Sequence, residues 1–111
     1  MDSILISIKK LLGITEEYTH FDQDIIMHIN SVLFTLKQVG VVLYKESVTG
    51  ATETWDDVLG ETTNLEAVKS YVYLKVRILF DPPSSSVLME SINRQINEFE
   101  WRLNVAVETP T

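Results

Sequence analysis

The chain has 111 residues, of which 45% are hydrophobic and 23% charged, and its formal net charge is −7. This is the length of one domain, and the apolar fraction is sufficient for a core. There is no cysteine, so disulfides, thiolate catalysis and cysteine-based zinc sites are excluded. The acidic balance is opposite to the basic patch that holds nucleic-acid phosphates, and it argues against tight sequence-specific DNA binding.

The first residues alternate between apolar and polar types. They lack the basic start, unbroken apolar run and small-residue cleavage site of a signal peptide. No apolar stretch approaches the roughly 18 residues that a membrane-spanning helix requires. We therefore expect a soluble protein that contacts no membrane and is used without export.

The first segment with helical periodicity covers residues 3–12, where apolar residues recur every three or four positions. Lys9 and Lys10 fall outside its apolar stripe. A polar connection follows, in which Thr19 or Asp22 is the expected N-cap of the next helix.

The second predicted helix covers residues 22–39, and Gly40 is placed to close it. Met27 and Phe34 lie outside its main apolar stripe, so the helix is apolar on more than one side. This distribution is typical of an element packed between neighbours, and both residues are candidate protein-interface residues.

The region from residue 41 to residue 64 is the least determined by the sequence. Residues 41–44 are suited to start a strand, and residues 45–54 are rich in turn formers, which indicates either a small hairpin or a mobile loop. Residues 55–59 have the pattern of one helical turn ending at Gly60. A connection of this length is commonly functional or disordered.

The third predicted helix covers residues 65–80, with Asn64 as its N-cap. Its apolar surface is broad, so we expect it to be the most buried helix, at the centre of the domain. Residues 81–83, Asp-Pro-Pro, end it because proline excludes the preceding residue from helical geometry. The serines at 84–86 offer N-caps for a fourth helix that extends to about Val107.

The two later helices have well-defined predicted core faces. Their members are Leu65, Val68, Val72, Val76 and Leu79 in the third helix, and Leu88, Ile92, Ile96, Phe99, Leu103 and Ala106 or Val107 in the fourth. The fourth helix also carries two predicted i,i+4 ion pairs, Glu90–Arg94 and Glu98–Arg102. Together the segments predict an all-α fold in a single domain, residues 1–111. It is a small bundle of about four helices with a long loop or small hairpin between the second and third.

No catalytic, cofactor or metal motif is present in the sequence. His20 and His28 have no metal-ligand spacing, and a structural role is favoured for His28, which borders an apolar helix face. Asp56 and Asp57 could hold a divalent ion, but adjacent acids that open a short helix more often stabilise its positive end. We assign no catalytic, cofactor or metal residues.

Two tryptophans are the remaining candidates for a functional surface. Trp101 lies on the polar side of the fourth helix, on one line with Arg94 and Asn97. It either contacts another protein or shows that the helix packs on two sides within one subunit, and both interpretations stay open. Trp55 is favoured as an anchor of the long loop, with protein docking as the alternative.

Two later stretches, residues 71–86 and 91–104, resemble the C-terminal half of the phage head–tail connector proteins, also called head-completion or adaptor proteins. The DPP junction followed by a helix ending in EWRLN is the most specific feature. The resemblance extends to residues 11–14 and 24–31, and it is weakest in residues 44–64. It therefore covers most of the chain.

The resemblance implies a non-enzymatic helical subunit of the virion neck, made in the host cytoplasm. Such proteins form a ring of about 12 or 13 copies, and the free subunit can be monomeric. The implied partners are the portal protein and a downstream neck or tail-completion protein. DNA would pass through without specific binding, since a negative lumen repels phosphate. The acids of the later helices or the long loop are the expected lumen residues.

Two other functions remain open at this point. A small acidic helical regulator or anti-repressor, acting as a monomer or dimer on a protein partner, would share the acidity and the missing catalytic motif. A small enzyme with a composite active site at a subunit boundary would need convergent polar groups that the sequence does not reveal. Assembly state separates the first alternative from a connector, since only a connector should form high-order rings on a portal.

Overall fold

A computed structural model describes residues 3–60 and 64–108, with side chains up to residue 105. Within these residues the chain forms five helices, which are α1 (Ile4–Leu11), α2 (Asp22–Val39), α3 (Trp55–Leu59), α4 (Leu65–Phe80) and α5 (Ser86–Glu108). The one β pairing in the described part is an isolated antiparallel bridge between Ser3 and Thr54. The predicted all-α fold is confirmed.

Local capping explains where α1 begins and where α2 ends. The hydroxyl of Ser3 accepts a hydrogen bond of 3.0 Å from an amide in the first turn of α1. Gly40 closes α2 with φ of 112°, a left-handed conformation that glycine adopts at little cost. The predicted N-cap of α2 is wrong. Phe21 occupies that position, because Asp22 is already helical and Thr19 contributes its carbonyl instead of its hydroxyl.

The bounds of α4 are those predicted, and α5 begins within the predicted serine run. Asn64 precedes α4 as expected, although its side chain makes no capping hydrogen bond to the helix. Asp81 ends α4, and Pro82 follows it. The hydroxyl of Ser85 accepts a hydrogen bond of 3.3 Å from the amide of Leu88, so a serine does cap α5. These ends follow from local chemistry alone.

α2 contributes more fully buried side chains than α4, although only Glu66, Ser70 and Leu79 of α4 are exposed, against seven exposed residues of α2. α2 packs against α1, α4 and α5, whereas α4 packs mainly against α2 and α5. Because α2 is covered by three helices, six of its apolar side chains are buried, against four in α4. The buried residues of α2 are Ile25, Ile26, Ile29, Val32, Leu33 and Leu36.

Most of the described members of the predicted core faces of α4 and α5 are buried or, like Leu65, partly buried, with two exceptions. Ala106 and Val107, also predicted there, lie outside the residues whose side chains are described. The confirmed residues are Val68, Val72, Val76, Ile92, Ile96 and Leu103, and Phe99 is partly buried against them. Leu79 and Leu88 are exposed, contrary to prediction. Both lie beside the connection between α4 and α5, where the apolar sequence pattern continues past the end of the packed core.

One buried polar contact joins α4 to α5. Tyr71, fully buried on α4, donates a hydrogen bond of 2.6 Å from its hydroxyl to a carboxylate oxygen of Glu100 on α5. Burial, and then the hydrogen bond and charge of Glu100, raise the pKa of Tyr71 well above its ordinary value. The hydroxyl therefore stays protonated and keeps donating throughout the neutral range.

The connection between α2 and α3 contains no hairpin, so that alternative of the prediction is wrong. Asn30 on α2 accepts a 2.7 Å hydrogen bond from the amide of Val48 and donates one of 3.0 Å to its carbonyl. The amide of Tyr44 donates to the carbonyl of Val58 at 2.7 Å. The polar backbone groups of the loop are thus hydrogen-bonded by side chains and by isolated backbone groups, instead of by a partner strand.

The carboxylate of Glu53 organises the end of this loop. It accepts hydrogen bonds from the amide and hydroxyl of Thr49, at 3.0 and 2.6 Å, and from the amide of Gly50 at 3.3 Å. The backbone carbonyl of Glu53 accepts the amide of Ile4 at 2.9 Å, which ties the loop to α1. The hydrogen bond from the Thr49 hydroxyl is the main cause that lowers the pKa of Glu53 to about 2.

We expect Glu53→Gln to lower the free energy of unfolding by about 2 kcal/mol at pH 7, because the charged acceptor is lost. Since the folded pKa is depressed, the stabilisation is fully present above the ordinary pKa of 4.5 and is lost as the pH falls through about 2. The difference between the two proteins should therefore shrink over that range. Urea unfolding at several pH values measures it. Glu46→Gln, at an exposed position, is the control, and a pH-independent difference would contradict the assignment.

Candidate functional site

The exposed side of α5 carries four residues at helical spacing, Glu90, Arg94, Asn97 and Trp101, which we call the α5 stripe. The side chain of Trp101 is 67% exposed. The interpretation that α5 packs on two sides within one subunit is therefore wrong for the described part of the chain. A large indole left in solvent amid polar residues is typical of a contact surface.

Of the two predicted ion pairs of α5, one is present in the described part of the chain. Glu98 and Arg102 pair at 2.5 Å, whereas Arg94 makes no ion pair within residues 3–60 and 64–105. The guanidinium of Arg94 is exposed beside Asn97 on the α5 stripe. It is therefore free to pair with a carboxylate of another molecule.

A second exposed apolar surface lies on α2. Met27 and Phe34, which the sequence places outside the main apolar stripe of α2, are 58% and 60% exposed. They border a shallow groove, called the α2 groove, which is lined by Gln23, Ile26, Met27, Asn30, Ser31 and Phe34. Asn30 is held there by its two hydrogen bonds to Val48. The groove therefore combines one polar side chain held by hydrogen bonds with two exposed apolar side chains.

Trp55 is not on the surface, which corrects its place among the candidate interface residues. Its side chain is 1% exposed, and the indole N–H donates to the hydroxyl of Ser7 on α1 at 3.3 Å. The ammonium of Lys69 on α4 lies 5.8 Å from the ring centroid. The anchor interpretation is confirmed: Trp55 joins the loop to two helices.

Among the exposed apolar residues that the sequence reasoning did not indicate are Val42, Tyr44 and Val87. Val87 lies seven residues before Arg94, so the helical period alone could have placed it on the line of the α5 stripe. No sequence signal marks Tyr44. Its ring lies against Gly60, where an added Cβ would approach it to 2.5 Å.

Two of the residues weighed as metal ligands, Asp57 and His28, make contacts within the fold. Asp57 accepts the amide of Thr54 at 3.0 Å, and the hydroxyl of Thr54 accepts the amide of Asp57 at 3.1 Å, which forms a capping box. The hydrogen bond from the Thr54 amide lowers the pKa of Asp57. His28 is half-buried, with its ring 6.4 Å from that of Phe80.

Among the described residues, no group of three or more acidic or histidine side chains is arranged to hold a metal ion. In the same part of the chain, no helix is long and apolar enough to cross a membrane. The distinctive features that remain are the α5 stripe and the α2 groove. They define the class as a small all-α protein with two exposed surfaces of the type that contacts other proteins.

Comparison with protein families identifies the group within this class. The family model described as phage connector protein matches residues 4–110. The chain belongs to the phage connector family, which comprises structural proteins of the phage particle that act with other head and tail proteins and are generally not enzymes. Neither the curated proteins nor the solved structures gave a match.

Proposed function

We propose that this protein is the adaptor-ring subunit that joins the capsid portal to the tail or neck and extends the DNA channel. The observation that carries the proposal is the match of residues 4–110 to the connector family. The partners are the portal protein on one side and a downstream neck or tail-completion protein on the other. The assembled ring has about 12 or 13 copies and stands in the virion neck, after synthesis in the host cytoplasm.

The exposed surfaces support a ring. Each subunit of a ring contacts its two neighbours through two different surfaces, because the interface is head-to-tail. The α5 stripe and the α2 groove are two such surfaces, on different helices that both pack against α4. A monomeric or dimeric regulator needs only one of them.

The acidity supports a channel through which DNA slides. Each copy contributes a net charge of −7, so a ring concentrates negative potential around its axis. Phosphate is repelled by such a lumen, and DNA passes without specific binding. We assign the lumen to exposed acids of the loop and the later helices.

Neutralising these acids should slow DNA ejection. Two variants divide the candidates: Glu46→Gln with Asp56→Asn in the loop and α3, and Glu66→Gln with Glu98→Gln on α4 and α5. Ejection from assembled particles is followed by the fluorescence of a DNA-binding dye at low and high salt. We expect the slower variant to identify the lumen face, with the difference reduced at high salt. Unchanged ejection in both variants would contradict the assignment of the lumen to these acids.

Electron microscopy of DNA-filled, tailless heads mixed with the purified protein tests the function directly. A ring of added density at the portal vertex is the expected result, whether or not light scattering shows the free protein to be monomeric. Assembly on the portal gains from many simultaneous contacts, so a free monomer is compatible with a connector. Bare portals at protein concentrations well above micromolar would overturn the proposal in favour of a regulator that binds another protein.

A further inference from the structure

We propose that neighbouring copies in the ring join by placing the α5 stripe of one copy on the α2 groove of the next. This inference rests on the proposed adaptor function and deepens it by naming the subunit interface. The occupant of the groove is therefore a second copy of this chain. Three properties of the described residues carry the inference: shape, charge and spacing.

The shape of the α2 groove suits an indole. Ser31 is small and lies between Met27 and Phe34, which are both exposed. A tryptophan ring laid over Ser31 would contact the thioether of one side and the phenyl ring of the other. Trp101 is the one exposed tryptophan among the described residues. Its burial would remove three large apolar side chains from water in one contact.

Charge and spacing fix a register. Asp24 lies seven residues before Ser31 on α2, and Arg94 lies seven residues before Trp101 on α5. Seven residues span about 10 Å and return to nearly the same side of a helix. When Trp101 lies over Ser31 in a parallel pair of helices, Arg94 therefore meets Asp24. Both charges are exposed, and neither forms an ion pair within the described part of the chain.

The pairing of charges also selects the relative direction of α5 and α2 in the contact. In an antiparallel pair with Trp101 over Ser31, Arg94 would face Gln38, which lies seven residues after Ser31. Gln38 carries no charge, so the parallel arrangement is the one with electrostatic complementarity. The two surfaces differ, so the contact is head-to-tail and repeats around a ring instead of closing as a two-fold dimer.

Charge reversal tests the register in intact protein. Arg94→Asp and Asp24→Arg should each raise the concentration for half-maximal ring density on tailless heads at least about tenfold, because two like charges then meet. The double variant, with the charges exchanged, should return to near the wild-type value. Lys45→Asp, an exposed charge outside both surfaces, is the control. Circular dichroism and thermal unfolding verify that each variant is folded.

A second measurement locates the contact without charge changes. The chain has no cysteine, so Met27→Cys protein mixed with Asn97→Cys protein can crosslink only at the introduced positions. These residues lie four positions before Ser31 and Trp101 respectively, so they should meet in the parallel register. We expect a 27–97 disulfide between copies on heads, at least about tenfold more abundant than 27–27 or 97–97 disulfides.

The outcomes separate the two proposals. Rings formed by the wild type that are unaffected by the reversals, or not rescued by the exchange, would overturn this interface and leave the adaptor function standing. Rings whose 27–97 disulfide is absent would overturn it as well. Bare portals with the wild-type protein would overturn the adaptor function, and the interface with it.

Discussion

Replacing Trp55 by alanine should lower the free energy of unfolding by about 3–5 kcal/mol, because its side chain is only 1% exposed. The residue opens α3, which has five residues and cannot be stable by itself. Its indole fills the space between α1 and α4 and donates to Ser7. Alanine would leave a cavity there, and the end of the loop would lose its attachment.

Trp101→Ala is the matched control, since it removes the same side chain from an exposed position. We expect it to change the free energy of unfolding of the free protein by less than about 0.5 kcal/mol. Both variants are measured by urea unfolding followed by circular dichroism. Equal losses would contradict the assignment of Trp55 to the core and Trp101 to the surface. A large loss for Trp101 would also argue against its role as an interface residue.

Lys9→Met should lower the free energy of unfolding by about 3 kcal/mol. The Lys9 side chain is 1% exposed, and its ammonium lies 2.8 Å from a carboxylate oxygen of Asp22. It also donates to the carbonyls of Glu16 and Tyr18 at 3.0 and 2.8 Å. Methionine keeps most of the volume of the stem, but the carboxylate loses its ion-pair partner and both carbonyls lose their hydrogen-bond donor.

Lys10→Met is the control for this prediction, because Lys10 is the adjacent residue and is exposed. Its effect should be within about 0.5 kcal/mol of zero. The double variant Lys9→Met with Asp22→Asn should recover part of the loss, since the uncompensated charge is then removed. Similar stabilities of the Lys9 and Lys10 variants, or no recovery in the double variant, would show that the ammonium is not a buried link between α1 and α2.

Local rules explain why most of the fold could be predicted from the sequence. The apolar period marks the helices, Gly40 closes α2 and Pro82 limits α4, and these effects involve only a few neighbouring residues. The same period placed Met27 and Phe34 outside the main apolar stripe of α2. These are properties of a single helix, so tertiary packing does not alter them.

The candidate surfaces were predicted only in part. The line of Arg94, Asn97 and Trp101 follows from helical spacing, but whether the indole is covered depends on what packs beside α5. Trp55 is the same type of residue as Trp101 but is buried, because α1 and α4 approach it in space. Exposure of a tryptophan is decided by neighbours that are distant in the sequence.

The sequence by itself determined the all-α class, the positions of the main helices, the line of polar residues on α5 and the family resemblance. Only the tertiary structure decided that Lys9 is buried and Lys10 exposed, and that Asn30 and Glu53 hold a loop without a hairpin. The physical reason is the distance along the sequence over which each effect acts. Capping and periodicity act within about one helical turn, whereas burial and the pairing of polar groups depend on which distant segments meet.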